Sequence, residues 1–187
     1  MTKDELRKQI KEEIKKLSAA DCDTQSLYVC LQVIGSAEWQ QAETVLLYAA
    51  LPDEVNLQLL IDDAMGSGKT VILPVVDGDS LRLRKYDPQH ITTEGKFHIE
   101  EPTEACEELT DPKAIDLAII PGRAVSRKGH RMGRGKGYYD KLLPALDCPK
   151  WGVCFTCLLQ RMVPCDEWDV RMHQVVTAES PPYFFRF

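Results

Sequence analysis

Two aliphatic, β-branched runs, "TVLLYAA" (44–50) and "TVILPVV" (70–76), flank a segment with helical spacing, "EVNLQLLIDDAM" (54–65), in which Val55 and Leu59 share a face opposite Asp62 and Asp63. A strand, a helix and a second strand in that order close only as a parallel pair with a right-handed crossover. A parallel sheet must be covered on both faces, so the rest of the chain has to supply the cover. "AIDLAIIPG" (114–122) and "WGVCF" (151–155) read as further buried strands, "GYYDKLLPAL" (137–146) as a helix between them, and "HQVVTAES" (173–180) holds a last short strand. The alternation predicts one three-layer α/β domain over residues 1–187, with a mainly parallel sheet flanked by helices.

The N-terminal segment predicts an amphipathic helix: Thr2 and Glu5 fit a capping box, and Leu6, Ile10, Ile14 and Leu17 fall on one face. Leu27, Leu31 and Ile34 suggest the apolar face of a second helix ending near Gly35. "DGDSLRLRKYD" (77–87) reads as a turn and an edge strand, and residues 87–113, rich in Pro, Glu and Thr, as loop.

"MGSGKT" (65–70) ends like a phosphate-binding loop, but the position of its first glycine holds Asp63, and a helix enters it where a strand should. Glycines at a helix C-cap and a lysine at the negative end of the helix dipole make an αβ turn the better reading.

A net charge of −6 argues against nucleic acid and anionic membranes as partners, so any anion site must be local. "MTKDELRKQIKEEIKKL" lacks the apolar core of an export signal, and no long apolar window occurs elsewhere. Seven scattered cysteines fit a reducing, cytoplasmic setting, with Cys154 and Cys157 read as buried thiols and not as metal ligands. His90 and His130 read as solvated surface groups. Nothing in the sequence sets an oligomeric state.

Local positive charge is concentrated in "PGRAVSRKGHRMGRGKGYYD" (121–140), which holds five of the eleven glycines together with Arg123, Arg127, Lys128, Arg131, Arg134 and Lys136. It follows a predicted parallel strand, where ligands bind in open α/β sheets. Glycines let the backbone approach a ligand closely, basic side chains neutralise several negative charges, and the helix that follows offers unpaired N–H groups. That combination predicts a polyphosphate site. Tyr138 and Tyr139 are candidates for stacking on a flat ring, and Asp140 for holding a hard cation such as Mg²⁺. The plain alternatives are a solvated surface loop and an ordinary first-turn acid.

The run Pro121-Gly122-x-Ala124, followed by Gly129-x-Arg131-Met132-Gly133-Arg134-Gly135-Lys136-Gly137-Tyr138-Tyr139-Asp140, resembles the hallmark segment of 5-formyltetrahydrofolate cyclo-ligases, also called 5,10-methenyltetrahydrofolate synthetases. The resemblance extends through Lys3-x-x-Leu6-Arg7, "LPDEVN" with Glu54, "VILPVV", "IEEP" and "VP…WD…VVT". It implies a Rossmann-like cyclo-ligase fold and the ATP- and Mg²⁺-dependent conversion of 5-formyltetrahydrofolate to 5,10-methenyltetrahydrofolate, ADP and phosphate. In that chemistry the γ-phosphoryl group goes to the formyl oxygen, N10 attacks the activated carbon, and phosphate leaves as the ring closes. By the same resemblance Lys3, Arg7, Arg131, Gly133, Arg134, Gly135, Lys136, Gly137, Tyr138 and Tyr139 bind ATP. Lys136, Arg134 and Glu54 are the implied catalytic residues, Glu54, Phe97 and Tyr138 meet the folate, and Asp140 holds Mg²⁺. Without the resemblance Glu54 reads as a carboxylate at a helix N-terminus.

Several positions depart from the family pattern. His173 stands where an aspartate usually provides a second metal contact, and imidazole is a poorer Mg²⁺ ligand, so either Asp169 or water fills that role or the second metal contact is lost. Val125 replaces a usual Phe, Cys157-Leu158 a polar residue followed by Gln, and His98 a small residue or Asn. A non-catalytic folate- or nucleotide-binding protein, or a phosphotransfer enzyme with another substrate, would share most of these binding features.

Overall fold

A computed structural model describes residues 2–95 and 97–179 of the chain. The N-terminal helix α1 (Lys3–Ile14) starts at the expected capping box, with Thr2 and Glu5 bonding reciprocally, and buries Leu6 and Ile10. Helix α2 (Ala19–Ile34) starts at a second box made by Ser18 and Asp21, and Gly35 follows its last turn. Its buried face is not the expected one: Ser26, Val29, Cys30 and Val33 point inward, while Leu27 and Leu31 are 48% and 50% exposed. Ser26 tolerates burial because its Oγ accepts the Asn56 N–H at 3.0 Å.

After the short helix α3 (Ala37–Gln41) come β1 (Thr44–Leu46), α4 (Gln58–Gly66), β2 (Thr70–Asp77) and β3 (Ser80–Lys85). Strands β4 (Ile91–Thr92) and β5 (Glu101–Pro102) pair within the region read as loop. Next come β6 (Leu117–Pro121), β7 (Ala124–Ser126), β8 (Arg131–Met132) and the short helix α5 (Tyr138–Leu142). Strands β9 (Lys150–Val153), β10 (Leu159–Gln160) and β11 (Gln174–Val176) follow. The last element lies inside the expected 173–180 stretch, of which Ser180 is outside the described residues.

Six strands form the main sheet in the order β11-β9-β6-β1-β2-β3, parallel throughout except for the edge strand β3. Alternation along the strands divides the core. Val45, Val71, Leu73, Leu117 and Ile119 face α1 to α4, whereas Leu46, Ile72, Ala118 and Ile120 face Leu142, Leu143 and Leu146 of α5 and the turn after it. The three layers are thus present, with most of the helical cover on one face.

Helix α4 begins four residues later than its spacing suggests. The Tyr48 hydroxyl donates to the Val55 carbonyl at 2.9 Å, Glu54 accepts the Leu51 N–H at 3.1 Å, and Asn56 accepts the Gln58 N–H at 2.9 Å. These bonds hold residues 51–56 as a turn, a local competition with helix that short polar side chains commonly win. At its other end α4 runs into the αβ turn: the Gly68 and Lys69 N–H groups return to the Met65 and Ala64 carbonyls, and Gly68 has φ 77°. Lys69 does not serve α4 as expected. Its Nζ donates to the Ala42 carbonyl at 2.6 Å, after α3, and lies 5.9 Å from the centroid of the Trp39 ring.

All seven cysteines are free, Cys154 being buried and Cys157 half-buried. Burial pushes both thiols up, which keeps them unreactive. Among the described residues no helix is long and apolar enough to cross a membrane.

Candidate functional site

From β1 the chain steps outward through β2 to β3, then returns to β6 on the other side of β1 and steps outward again through β9 to β11. The direction of winding therefore reverses between β1 and β6, and the turns leaving their C-terminal ends separate to leave a crevice. A cleft of about 300 Å³ opens there. The turn after β1 supplies one wall and the glycine-rich segment after β6 the other. Lys3 and Arg7 reach it from α1, and Phe97 from the segment between β4 and β5.

On the acidic wall, the turn that displaces the start of α4 aims Glu54 inward. One carboxylate oxygen is fixed by the Leu51 N–H and the other accepts from Arg134 Nε at 3.1 Å, with the side chain only 13% exposed. Glu54 is therefore not the helix-terminal carboxylate that its position in the sequence suggests. Asp53 beside it bonds two guanidinium groups, Arg123 through one oxygen and Arg134 through the other. Burial opposes ionisation of Asp53, but Arg134 and Arg123 outweigh it and hold the carboxyl below its usual range.

The basic wall starts with the β7–β8 hairpin and continues as the 133–137 loop. Gly135 and Gly137 take positive φ values of 97° and 71°, which favour glycine over any side chain. A Cβ on Gly135 would also stand 3.3 Å from Arg7 Nη2, so its absence lets Arg7 lie against the loop. Arg7 Nε donates to the Gly133 carbonyl at 3.4 Å. Arg131 is the buried member of the set, 4% exposed, bonded to Asp140 at 2.6 Å and centred 5.5 Å from the Tyr139 ring. Burial pulls its pKa down, and its Nε bonds no described group. The helix that follows is a single short turn, tied to the β2–β3 turn by Tyr138 and Lys141.

Arg131, Gly133, Arg134, Gly135, Lys136, Gly137, Tyr138, Tyr139 and Asp140 thus share one cleft with Lys3, Arg7, Glu54 and Phe97. Its cations are largely matched by its own anions. Lys3 meets Asp166 at 2.5 Å and Asp169 at 3.1 Å, Arg7 meets Asp4 at 2.6 Å, and Arg123, Arg131 and Arg134 are paired as described. Lys136 is exposed and forms no ion pair with any described residue. A polyanion entering the cleft would compete with these carboxylates for the same cations.

Apolar surface completes the cleft through Pro74, Val76, Leu81, Phe97 and Ile99. A second cavity of about 540 Å³ adjoins it and shares Tyr48, Ala49, Phe97 and Ile99. Tyr139 is half-buried beside Arg131 and burial pushes its hydroxyl pKa up, while both Tyr138 and Tyr139 line the cleft.

Asp140 and Asp169 both face the cleft, and hard oxygen donors of this kind suit Mg²⁺, which takes one or two carboxylates together with phosphate oxygens and water. No group of three or more His, Cys, Asp or Glu side chains able to hold a metal occurs among the described residues. His173 is not part of the cleft. Its Nδ1 accepts the Lys150 N–H at 3.0 Å at the start of β9, and burial lowers its pKa. His90 is exposed as expected, paired with Asp87 at 2.8 Å, whereas His130 departs from expectation, being half-buried with an unbonded Nδ1.

Asp53 escaped the sequence reading although it precedes Glu54, because its partners lie 70 and 81 residues away. Glu101, a buried carboxylate in the cleft, also escaped, although "IEEP" contained it.

The description "5-formyltetrahydrofolate cyclo-ligase family" matches residues 1–178. A probable 5-formyltetrahydrofolate cyclo-ligase of Schizosaccharomyces pombe is 30% identical, covering 96% of this chain and 97% of its own length. The 5-formyltetrahydrofolate cyclo-ligase of Mus musculus is 27% identical, with 94% and 93% covered. The solution structure of 5,10-methenyltetrahydrofolate synthetase from Aquifex aeolicus superposes with a TM-score of 0.87 at 31% identity, covering 100% of this chain and 94% of that one. On these matches the chain belongs to the 5-formyltetrahydrofolate cyclo-ligase family.

Proposed function

We propose that the chain catalyses the ATP- and Mg²⁺-dependent closure of 5-formyltetrahydrofolate to 5,10-methenyltetrahydrofolate, with release of ADP and phosphate. The observation that carries this reading is the direct bond between Arg134 and Glu54, which joins the polyphosphate half of the cleft to the half suited to a pterin. A formamide oxygen is a poor leaving group until it is phosphorylated. The γ-phosphoryl group passes to the formyl oxygen as its bond to ADP breaks, and the N5 lone pair forms the iminium. N10 then attacks the formyl carbon and loses its proton, and the C–O bond breaks to release phosphate.

The protein's share of this work is positioning and charge neutralisation. Lys136, Arg134, Arg131, Arg7 and Lys3 take the triphosphate, with backbone approach at Gly133, Gly135 and Gly137. Glu54 is fixed by Leu51 and hydrogen-bonds the pterin near the reacting nitrogens. Phe97 and Tyr138 cover the ring. Asp140, joined by Asp169, is the carboxylate suited to hold Mg²⁺, which when bound neutralises charge on the transferring phosphoryl group. Continuous methenyl absorbance from purified protein with ATP, Mg²⁺ and excess 5-formyltetrahydrofolate tests the reading. Product well beyond one equivalent is expected, and binding without turnover would leave a non-catalytic folate protein instead.

A further inference from the structure

Asp53 joins two segments that the sequence keeps far apart. It lies in the turn after β1, and its two oxygens bond Arg123, next to β7, and Arg134, inside the 133–137 loop. The Arg123 side chain is 12% exposed and its backbone N–H is fixed to the Met132 carbonyl, so Asp53 is anchored on that side. On the other side it holds a segment with glycines at 133, 135 and 137, two of them at positive φ, a composition that resists movement poorly on its own. Glu54 takes Arg134 through a second nitrogen, so this guanidinium is held at two points by neighbouring carboxylates.

We propose that Asp53 is a positioning residue that clamps the glycine-rich loop across the ligand-free cleft, and that an entering polyphosphate takes Arg134 away from it. The second clause rests on the functional reading above; the first stands without it. Release of Arg134 also frees an oxygen of Glu54, so nucleotide entry prepares the carboxylate that meets the second substrate.

Hydrogen exchange of the ligand-free protein tests the clamp. Asp53→Asn should speed exchange of the 133–137 amides at least threefold, and Asp53→Glu should restore part of the protection. Arg134→Gln, which also loses the Glu54 contact, should accelerate exchange at least as much, and the double variant no more than Arg134→Gln alone, because the Asp53–Arg134 contact is already gone in it. Unchanged exchange in Asp53→Asn, or additive effects, would overturn the proposal. Titration with inorganic triphosphate tests the exchange of partners: Asp53→Asn should bind it at least threefold more tightly than the parent. Weaker or equal binding would show that Asp53 supports the anion site and does not compete with it. Failure of both proteins to bind triphosphate or ATP would count against the functional reading, while hydrogen exchange would still decide the clamp.

Discussion

Replacing Lys136 with alanine removes one positive charge from the mouth of the cleft and no contact on which the fold depends. The side chain is exposed and pairs with no described residue, so no buried acceptor loses its partner. A surface change of this kind moves stability by less than about 0.5 kcal/mol. For a chain of this size that is a shift in Tm of no more than about 2 °C. The loss should fall on nucleotide binding. A cation about 4 Å from a phosphate oxygen at an effective dielectric constant of about 20 has a Coulomb energy near 4 kcal/mol. Desolvation and the ordering of a long side chain reduce this to the roughly 1.5–3 kcal/mol typical of a charge-assisted hydrogen bond. At about 1.4 kcal/mol per factor of ten, KM for ATP should rise about 10- to 150-fold. Initial rates of methenyl formation against ATP concentration, with thermal denaturation of the ligand-free protein alongside, supply both numbers. An unchanged KM, or a fall in Tm well beyond 2 °C, would refute the assignment of Lys136 as an unpaired phosphate ligand.

Arg131→Ala should cost stability as well as nucleotide binding, because this guanidinium is buried against Asp140 and Tyr139; urea denaturation should report a loss of about 2–3 kcal/mol, and a loss below 1 kcal/mol would contradict its structural role. Glu54→Gln should lower kcat/KM for the folate at least tenfold, equivalent to about 1.4 kcal/mol, while calorimetry still detects ATP binding. His173→Asp should leave the Mg²⁺ concentration for half-maximal rate unchanged, since this imidazole bonds Lys150 outside the cleft; a clear fall would restore it to the metal site. The carboxyl of Asp53 is held below its usual value, so its contribution to stability is present above the unfolded pKa of about 3.9 and is lost as pH falls through the lower folded value. Asp53→Asn should therefore flatten the acid limb of a stability-against-pH curve, and an identical limb would show that its ion pairs contribute nothing.

The features legible in the sequence were those carried by neighbouring residues. The continuous apolar runs at 44–46, 70–77 and 117–121, the Thr2–Glu5 box and the dense run from Gly129 to Asp140 are all local patterns, and local patterns marked most of the cleft. Features set by distant partners were not legible. The start of α4 is displaced by bonds from Tyr48 and Ser26, and the buried face of α2 is rotated because Ser26 and Cys30 bond the turn at Asn56. Arg84 is buried in what looked like an edge strand because the Thr103 and Cys106 carbonyls accept from it. His173 lies outside the cleft that holds the carboxylates it was expected to join, fixed by Lys150 at the start of β9.

The central claim is that the cationic loop drives phosphoryl transfer to the formyl oxygen. Turnover of 5-formyltetrahydrofolate labelled with ¹⁸O in the formyl group tests it most directly. Mass spectrometry of the released phosphate should find the label there, one atom per methenyl formed. Unlabelled phosphate, with the isotope recovered in water, would contradict it.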